Sequence, residues 1–266
     1  MKVGLRVGLI KYAKSFFLFR EPAYASCSEP FLKVLVHERR FGSENMKTVF
    51  TIEGNIGTGK STTLEILKTR YKTDNRVAFV DEDVKGWEEC GLLQGLYDGT
   101  LHKGMFQACA LMPQVVKLHE ALQKPDVEMV VTERSPWSNY GVFARSNLDS
   151  VHMDAYMYLY EGMMSLLQYD LNVQLTFLDV SPEVASARIQ ERSRNSEKTV
   201  DLDYISLIDQ YHRDFIYRTY TQFNRSSFHK FHTPITIPPG SKEEVVEKLQ
   251  EYVDRTLTPN SPFSVI

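Results

Sequence analysis

Cysteine is scarce. The three thiols, Cys27, Cys90 and Cys109, are odd in number and none shows C-x-x-C spacing. That argues against a disulfide framework and a cysteine zinc site, and for a reducing compartment. A long apolar run is also missing. No stretch of about eighteen apolar residues occurs, so no segment is suited to cross a membrane as a helix. No repeat with a period of about 20–50 residues is visible, which removes solenoids and propellers. Neither charge is in excess: 31 Lys and Arg face 34 Asp and Glu, a net −3, so no general nucleic-acid affinity is implied. The 266 residues suit one α/β domain with some extra chain.

What is present is one organising stretch. Residues 47–53 (KTVFTIE) are apolar and rich in β-branched side chains, and read as a buried strand. Gly54, Asn55, Ile56, Gly57, Thr58, Gly59, Lys60, Ser61 and Thr62 follow, fitting G-x-x-x-x-G-K-[ST]. Glycines let such a loop turn tightly and aim successive N–H groups at phosphate oxygens, at a helix N-terminus that favours negative charge. Lys60 would reach the β- and γ-phosphates, and the Ser61 hydroxyl would help hold Mg²⁺. The next residues put Leu64 and Leu67 on one helix face. A nucleoside triphosphate, ATP, is the implied ligand.

From Met46 onward strands and helices alternate, which predicts a parallel sheet flanked by helices. Four further strands are expected over 76–81, 127–132, 173–179 and 232–237, the last ended by Pro238-Pro239-Gly240. Helices are expected near 87–96, 104–123, 136–146, 150–169, 182–193, 201–220 and 242–256. Ligands in such sheets gather beyond the strands' carboxyl ends. There the sequence places Asp81-Glu82-Asp83 and Glu133-Arg134-Ser135. A carboxylate can take a hydroxyl proton, another can serve the metal, and an arginine can neutralise a moving phosphoryl group. Arg188, Arg192 and Arg194 cluster near the end of a later helix. They form either a solvated basic face or a mobile lid that closes on the triphosphate. His102, His119, His152 and His212 lack partners at ligand spacing and are taken as structural or surface residues.

The first 45 residues differ from the rest. Lys2, Arg6, Lys11, Lys14 and Arg20 occur with no acid in the first twenty positions. A mitochondrial presequence, an upstream extension with Met46 as the more natural start, and an arm packed on the core all fit this pattern. A secretory signal fits poorly, because no compact small-residue cleavage site follows the apolar run. The boundaries are therefore an extension over 1–45, a P-loop domain over 46–258 and a tail over 259–266, in a cytoplasmic or mitochondrial protein.

The combination of Glu82-x-Val84-x-x-Trp87, Tyr97, Phe106-Gln107, Glu133-Arg134-Ser135 and the run from Arg188 to Glu197 resembles the deoxynucleoside kinase family, over residues 47–255. The resemblance implies a five-stranded P-loop fold with an arginine-bearing lid, and ATP-dependent phosphorylation of deoxynucleosides. It implies Glu82 as general base, with Arg134 on the same 5′-oxygen. Glu133 would help Ser61 hold Mg²⁺. Gln107 would pair with the base, Phe143 would stack on it, and Trp87 and Phe106 would complete the pocket. Tyr97 and Glu197 would hold the 3′-hydroxyl. Arg188, Arg192 and Arg194 would be the lid. Ala110, Gln114 and Asn139 would tune base choice, and because both amides are neutral, broad specificity including thymidine and deoxycytidine is expected. The two amides could instead bond each other and merely shape the wall.

Taken singly, each aromatic could be core and each polar residue a surface group; joint spacing carries the reading. Two departures stand out. Asp83 replaces the family's usual proline, which leaves more than one candidate base, and Ser196-Glu197 replaces a pair of glutamates. The helical stretches at 150–169 and 201–220 carry many apolar and aromatic residues, among them Tyr156, Tyr158, Leu159, Met163 and Leu166, and are either core or a helix-pair interface; the resemblance implies a homodimer. A nucleoside monophosphate kinase would need basic residues where Glu82 stands. An ATPase motor or switch would hydrolyse ATP without an acceptor.

Overall fold

The computed structural model describes residues 46–197, 199–223 and 229–258. The readings of residues 1–45 and of the tail lie outside these.

β1 (Lys47–Glu53) leads through the glycine loop into α1 (Lys60–Arg70). β2 (Val77–Val80) is followed by α2 (Val84–Glu89), α3 (Leu92–Asp98) and the long α4 (Lys103–Gln123). β3 (Met129–Glu133) feeds α5, which opens as α-helix at Pro136–Ser138, widens to a π-helix over Asn139–Ala144 and closes at Arg145–Asn147. Then come α6 (Ser150–Met164), β4 (Leu171–Leu178), α7 (Pro182–Arg192) and α8 (Leu202–Phe223). β5 (His229–Phe231), β6 (Ile235–Ile237) and α9 (Lys242–Leu257) complete the described chain.

The sheet runs β2-β3-β1-β4-β5, with β6 also on β4, and every pairing is parallel. β1 is central, and strand alternation assigns its side chains to opposite faces. Val49 packs with Leu111, Val115 and Leu118 of α4, Tyr156 and Tyr160 of α6, and Ile208 and Phe215 of α8. Phe50 and Ile52 pack on the other face with Leu64 and Leu67 of α1 and Val246, Leu249 and Val253 of α9. Leu64 and Leu67 are fully buried, contributing roughly 1.5–3 kcal/mol each.

Two elements differ from expectation. The helix over 87–96 is two helices, broken at Gly91, whose φ of 75° is left-handed. The strand over 232–237 is two short strands at one sheet position. Pro234, lying between them, has no N–H to give to a ladder. Gln174 Nε2 instead donates to Thr233 O at 3.0 Å across the gap. The sheet thus has five positions and six strands.

The π-helical turn in α5 lies against α8. A Cβ at Gly141 would stand 2.4 Å from the Phe215 ring, so the glycine permits this approach. Such turns re-aim side chains and recur at functional sites; here the turn carries Asn139 and Phe143 into one cleft.

Candidate active site

The cleft opens at the carboxyl ends of β1, β2 and β3. Its floor is the glycine loop. Gly54, Gly57 and Gly59 have φ of 146°, 80° and 96°, which side chains rarely adopt. A Cβ on Gly57 would also meet Ala185 O of α7 at 2.5 Å. Asn55 pins the loop to α8, donating from Nδ2 to Ile205 O at 2.7 Å, while its Oδ1 accepts from Ile56 N. Gly57→Ala should therefore lower stability by roughly 2–4 kcal/mol, through left-handed strain and overpacking together. Chemical denaturation checks this, and an unchanged midpoint would show that the loop yields freely.

Lys60 is buried and donates to Asn55 O at 2.6 Å. Burial, then the nearby charge of Arg134, bring its ammonium down to about 7. Ser61 Oγ donates to Glu133 Oε1 at 2.7 Å. Burial, then the proximity of Glu82, raise Glu133 above the usual carboxylate range. This pair offers hard oxygen donors only. Among the described residues no cluster of three or more His, Cys, Asp or Glu could hold a metal. A site with so few protein oxygens fits an ion that draws its remaining ligands from water and substrate phosphates.

Arg134 is the centre of the cleft. It has φ 61°, a left-handed conformation costing about 1–3 kcal/mol in a non-glycine residue and typical of functional positions. Its guanidinium is buried. Nη1 donates to Gly54 O at 2.8 Å, and Nε stands 2.8 Å from Glu82 Oε1 as an ion pair without a directed hydrogen bond. The plane lies 4.5 Å from the centre of the Phe143 ring.

Of the three acids after β2, Glu82 alone pairs with Arg134. Asp81 pairs with Lys68 on α1, and Asp83 with Lys117 on α4 at 3.7 Å. The substitution of Asp83 for proline therefore leaves one acid, Glu82, on the arginine.

The aromatic and polar candidates share the same cleft: Trp87, Tyr97, Phe106, Gln107, Ala110, Gln114, Asn139, Phe143 and Glu197 all line it. Trp87 and Phe106 meet edge to face at 5.3 Å. Glu197 is buried and gathers two arginines of the cluster, accepting from Arg192 Nη2 at 2.8 and 2.6 Å and from Arg194 Nη1 at 3.3 Å. Arg194 also lies 3.8 Å from Glu88. Arg188 turns elsewhere, donating to Thr58 O at 3.4 Å beside a second cleft. That cleft is lined by Gly59, Thr62, Arg192 and the 238–242 turn.

Three residues beneath this surface are given no part in the site by the sequence. Glu53 is fully buried and accepts from Ser135 Oγ at 2.6 Å; burial raises its pKa. His212 is fully buried, which is the structural of the two readings that its spacing left open. Its Nδ1 lies 2.9 Å from Ile208 O, and its Nε2 faces Arg134 Nη1 at 3.4 Å. Burial, then the charge of Arg134, hold it far below the usual histidine range, so it stays neutral and can accept from the guanidinium. Its position on the apolar stripe Ile205, Ile208, His212, Phe215 was a legible signal. The third is Tyr156, whose hydroxyl donates to Asn139 Oδ1 at 2.7 Å.

A glycine loop between a central parallel strand and a helix, with Ser61 and Glu133 meeting at its mouth, defines a P-loop nucleotide-binding protein. The family model "Deoxynucleoside kinase" matches residues 50–254, and the chain belongs to that family. It is 27% identical over 191 residues to a Fowlpox virus protein named "Probable deoxycytidine kinase", covering 70% of this chain and 75% of the relative. It is 26% identical to the mitochondrial deoxyguanosine kinase of Xenopus laevis, covering 65% and 74%. It is 25% identical to the mitochondrial thymidine kinase 2 of Homo sapiens, covering 81% and 80%. The protein is thus a phosphotransferase that uses ATP with a divalent metal to phosphorylate deoxynucleosides.

Proposed function

We propose that Glu82 is the general base on the 5′-hydroxyl, with Arg134 on the same oxygen. The observation that carries this is their 2.8 Å ion pair at the mouth of the glycine loop. The loop N–H groups and Lys60 hold the triphosphate, and Arg188, Arg192 and Arg194 close over it. The metal is Mg²⁺, held by Ser61 and through Glu133; when bound it neutralises charge between the phosphates. Trp87, Phe106 and Phe143 enclose the base and Gln107 pairs with it. Tyr97 and Glu197 take the 3′-hydroxyl.

Base choice is broad. Gln107 and Gln114 make no hydrogen bond within the described residues, so either amide can turn to suit a pyrimidine, and Ala110 leaves room for some purine. Steady-state kcat/KM for the four deoxynucleosides tests this; a thousandfold preference for one base would overturn it.

The enzyme is a homodimer joined through α4 and α6. Met105, Met112 and Val116 on α4 and Val151 and Leu159 on α6 are exposed on helices that pack together, an apolar surface suited to a second copy. Sedimentation of the natural protein and of Met112→Glu with Leu159→Arg checks it; a natural monomer would rule it out. The compartment is the cytoplasm or the mitochondrion, the latter favoured by the mitochondrial names of two relatives. A chain starting at Met46 should keep its kcat and nearly all its Tm, because no site residue precedes β1. A large loss of either would mean that the first 45 residues pack on the fold.

A further inference from the structure

Asn139, like Gln114, is a neutral amide that by sequence alone can offer either edge to a base. The structure removes that freedom. Tyr156, on α6, is buried and surrounded by Tyr140 and Tyr160, with ring centres of Tyr156 and Tyr160 5.9 Å apart. Its hydroxyl makes one hydrogen bond within the described residues, to Asn139 Oδ1 at 2.7 Å. Turning the amide over would leave the buried phenol proton without an acceptor, so the network fixes the orientation. Among the described residues Asn139 Nδ2 then has no protein partner, yet it is not sealed away; the residue lines the cleft. Gln114 does not satisfy it, so the two amides do not simply bond each other.

Nδ2 is a donor only. Phe143, four residues along the same helix, lies under Arg134 and lines the same cleft. With a base stacked on that ring, as proposed above, an amide one turn away meets the edge of the base rather than its face.

We infer that Tyr156 is a specificity-positioning residue: by holding Asn139 with its N–H₂ toward the cleft, it selects deoxynucleosides whose base presents a carbonyl there over those presenting an amine. This rests on the deoxynucleoside reading of the cleft. Within a broadly accepting enzyme, thymidine and deoxyuridine are preferred over deoxycytidine. An amine facing Nδ2 leaves two buried donors opposed, worth roughly ten- to hundredfold in kcat/KM.

The test is kcat/KM for thymidine, deoxyuridine and deoxycytidine in the natural enzyme, Tyr156→Phe and Asn139→Asp, with KM for ATP measured alongside. In Tyr156→Phe the amide can rotate, and the thymidine-to-deoxycytidine ratio should fall about tenfold toward one. In Asn139→Asp, Tyr156 still donates to one oxygen while the other accepts, so the ratio should invert. KM for ATP should not move in either, whereas a merely structural role would affect all three nucleosides alike. If Tyr156→Phe does not fold, the natural enzyme's own thymidine-to-deoxycytidine ratio decides: an amide held by Tyr156 gives about tenfold or more, and one free to turn gives about one. A natural enzyme that favours deoxycytidine, or a ratio unmoved by both changes, overturns the inference and leaves the kinase reading intact. Failure of the natural enzyme to phosphorylate any deoxynucleoside overturns the kinase reading itself.

Discussion

Glu82→Gln should lower kcat about a hundredfold or more while ATP still binds. Glutamine keeps the shape and can still approach Arg134, but it cannot accept a proton from the 5′-hydroxyl. The comparison that matters is with Asp81→Asn and Asp83→Asn. Those acids already have cationic partners, Lys68 and Lys117, outside the Arg134 contact. Their variants should stay within a few-fold of the natural rate. Single-turnover transfer with saturating ATP reads the difference. An active Glu82→Gln beside an inactive Asp81→Asn or Asp83→Asn would move the base to the other carboxylate.

The second large effect belongs to the arginines proposed to close over the triphosphate. Arg192 and Arg194 both pair with Glu197 in the structure, and Arg194 also lies near Glu88. A triphosphate approaching these arginines exchanges one anionic partner for another, so ground-state affinity gains little. The loose transition state spreads charge over oxygens that only a closed lid reaches. Arg192→Ala or Arg194→Ala should therefore lower kcat by about a thousandfold, with a much smaller rise in KM for ATP. If kcat is unchanged in both variants, the cluster is a solvated basic face. Arg188 stands apart, on Thr58 O and the second cleft, and its removal should act mainly on KM for ATP.

The fold was legible because its periods are clean. The β1 side chains Val49 and Phe50 go to opposite cores, and the Leu64–Leu67 stripe is fully buried. What was not legible depended on partners distant in the chain. Pro234 in an apolar run reads as one strand until Gln174 is seen bridging the interruption. Three consecutive acids, 81–83, cannot be ranked by sequence position; two lysines, one on α1 and one on α4, separate them. His212 and Glu53 looked uninformative because their meaning lies in burial around Arg134 and Ser135. Asn139 looked rotatable because Tyr156, seventeen positions on, is the group that fixes it.

The central claim is that this P-loop cleft waits for a deoxynucleoside and phosphorylates its 5′-hydroxyl. ATP labelled in the γ-phosphate, incubated with the full chain and a divalent metal with and without each of the four deoxynucleosides and their monophosphates, tests it most directly. ATP consumption should be negligible alone, and label should appear as deoxynucleoside 5′-monophosphate when a deoxynucleoside is added. Equal ATP hydrolysis without any acceptor, or transfer of label only to the monophosphates, would contradict it.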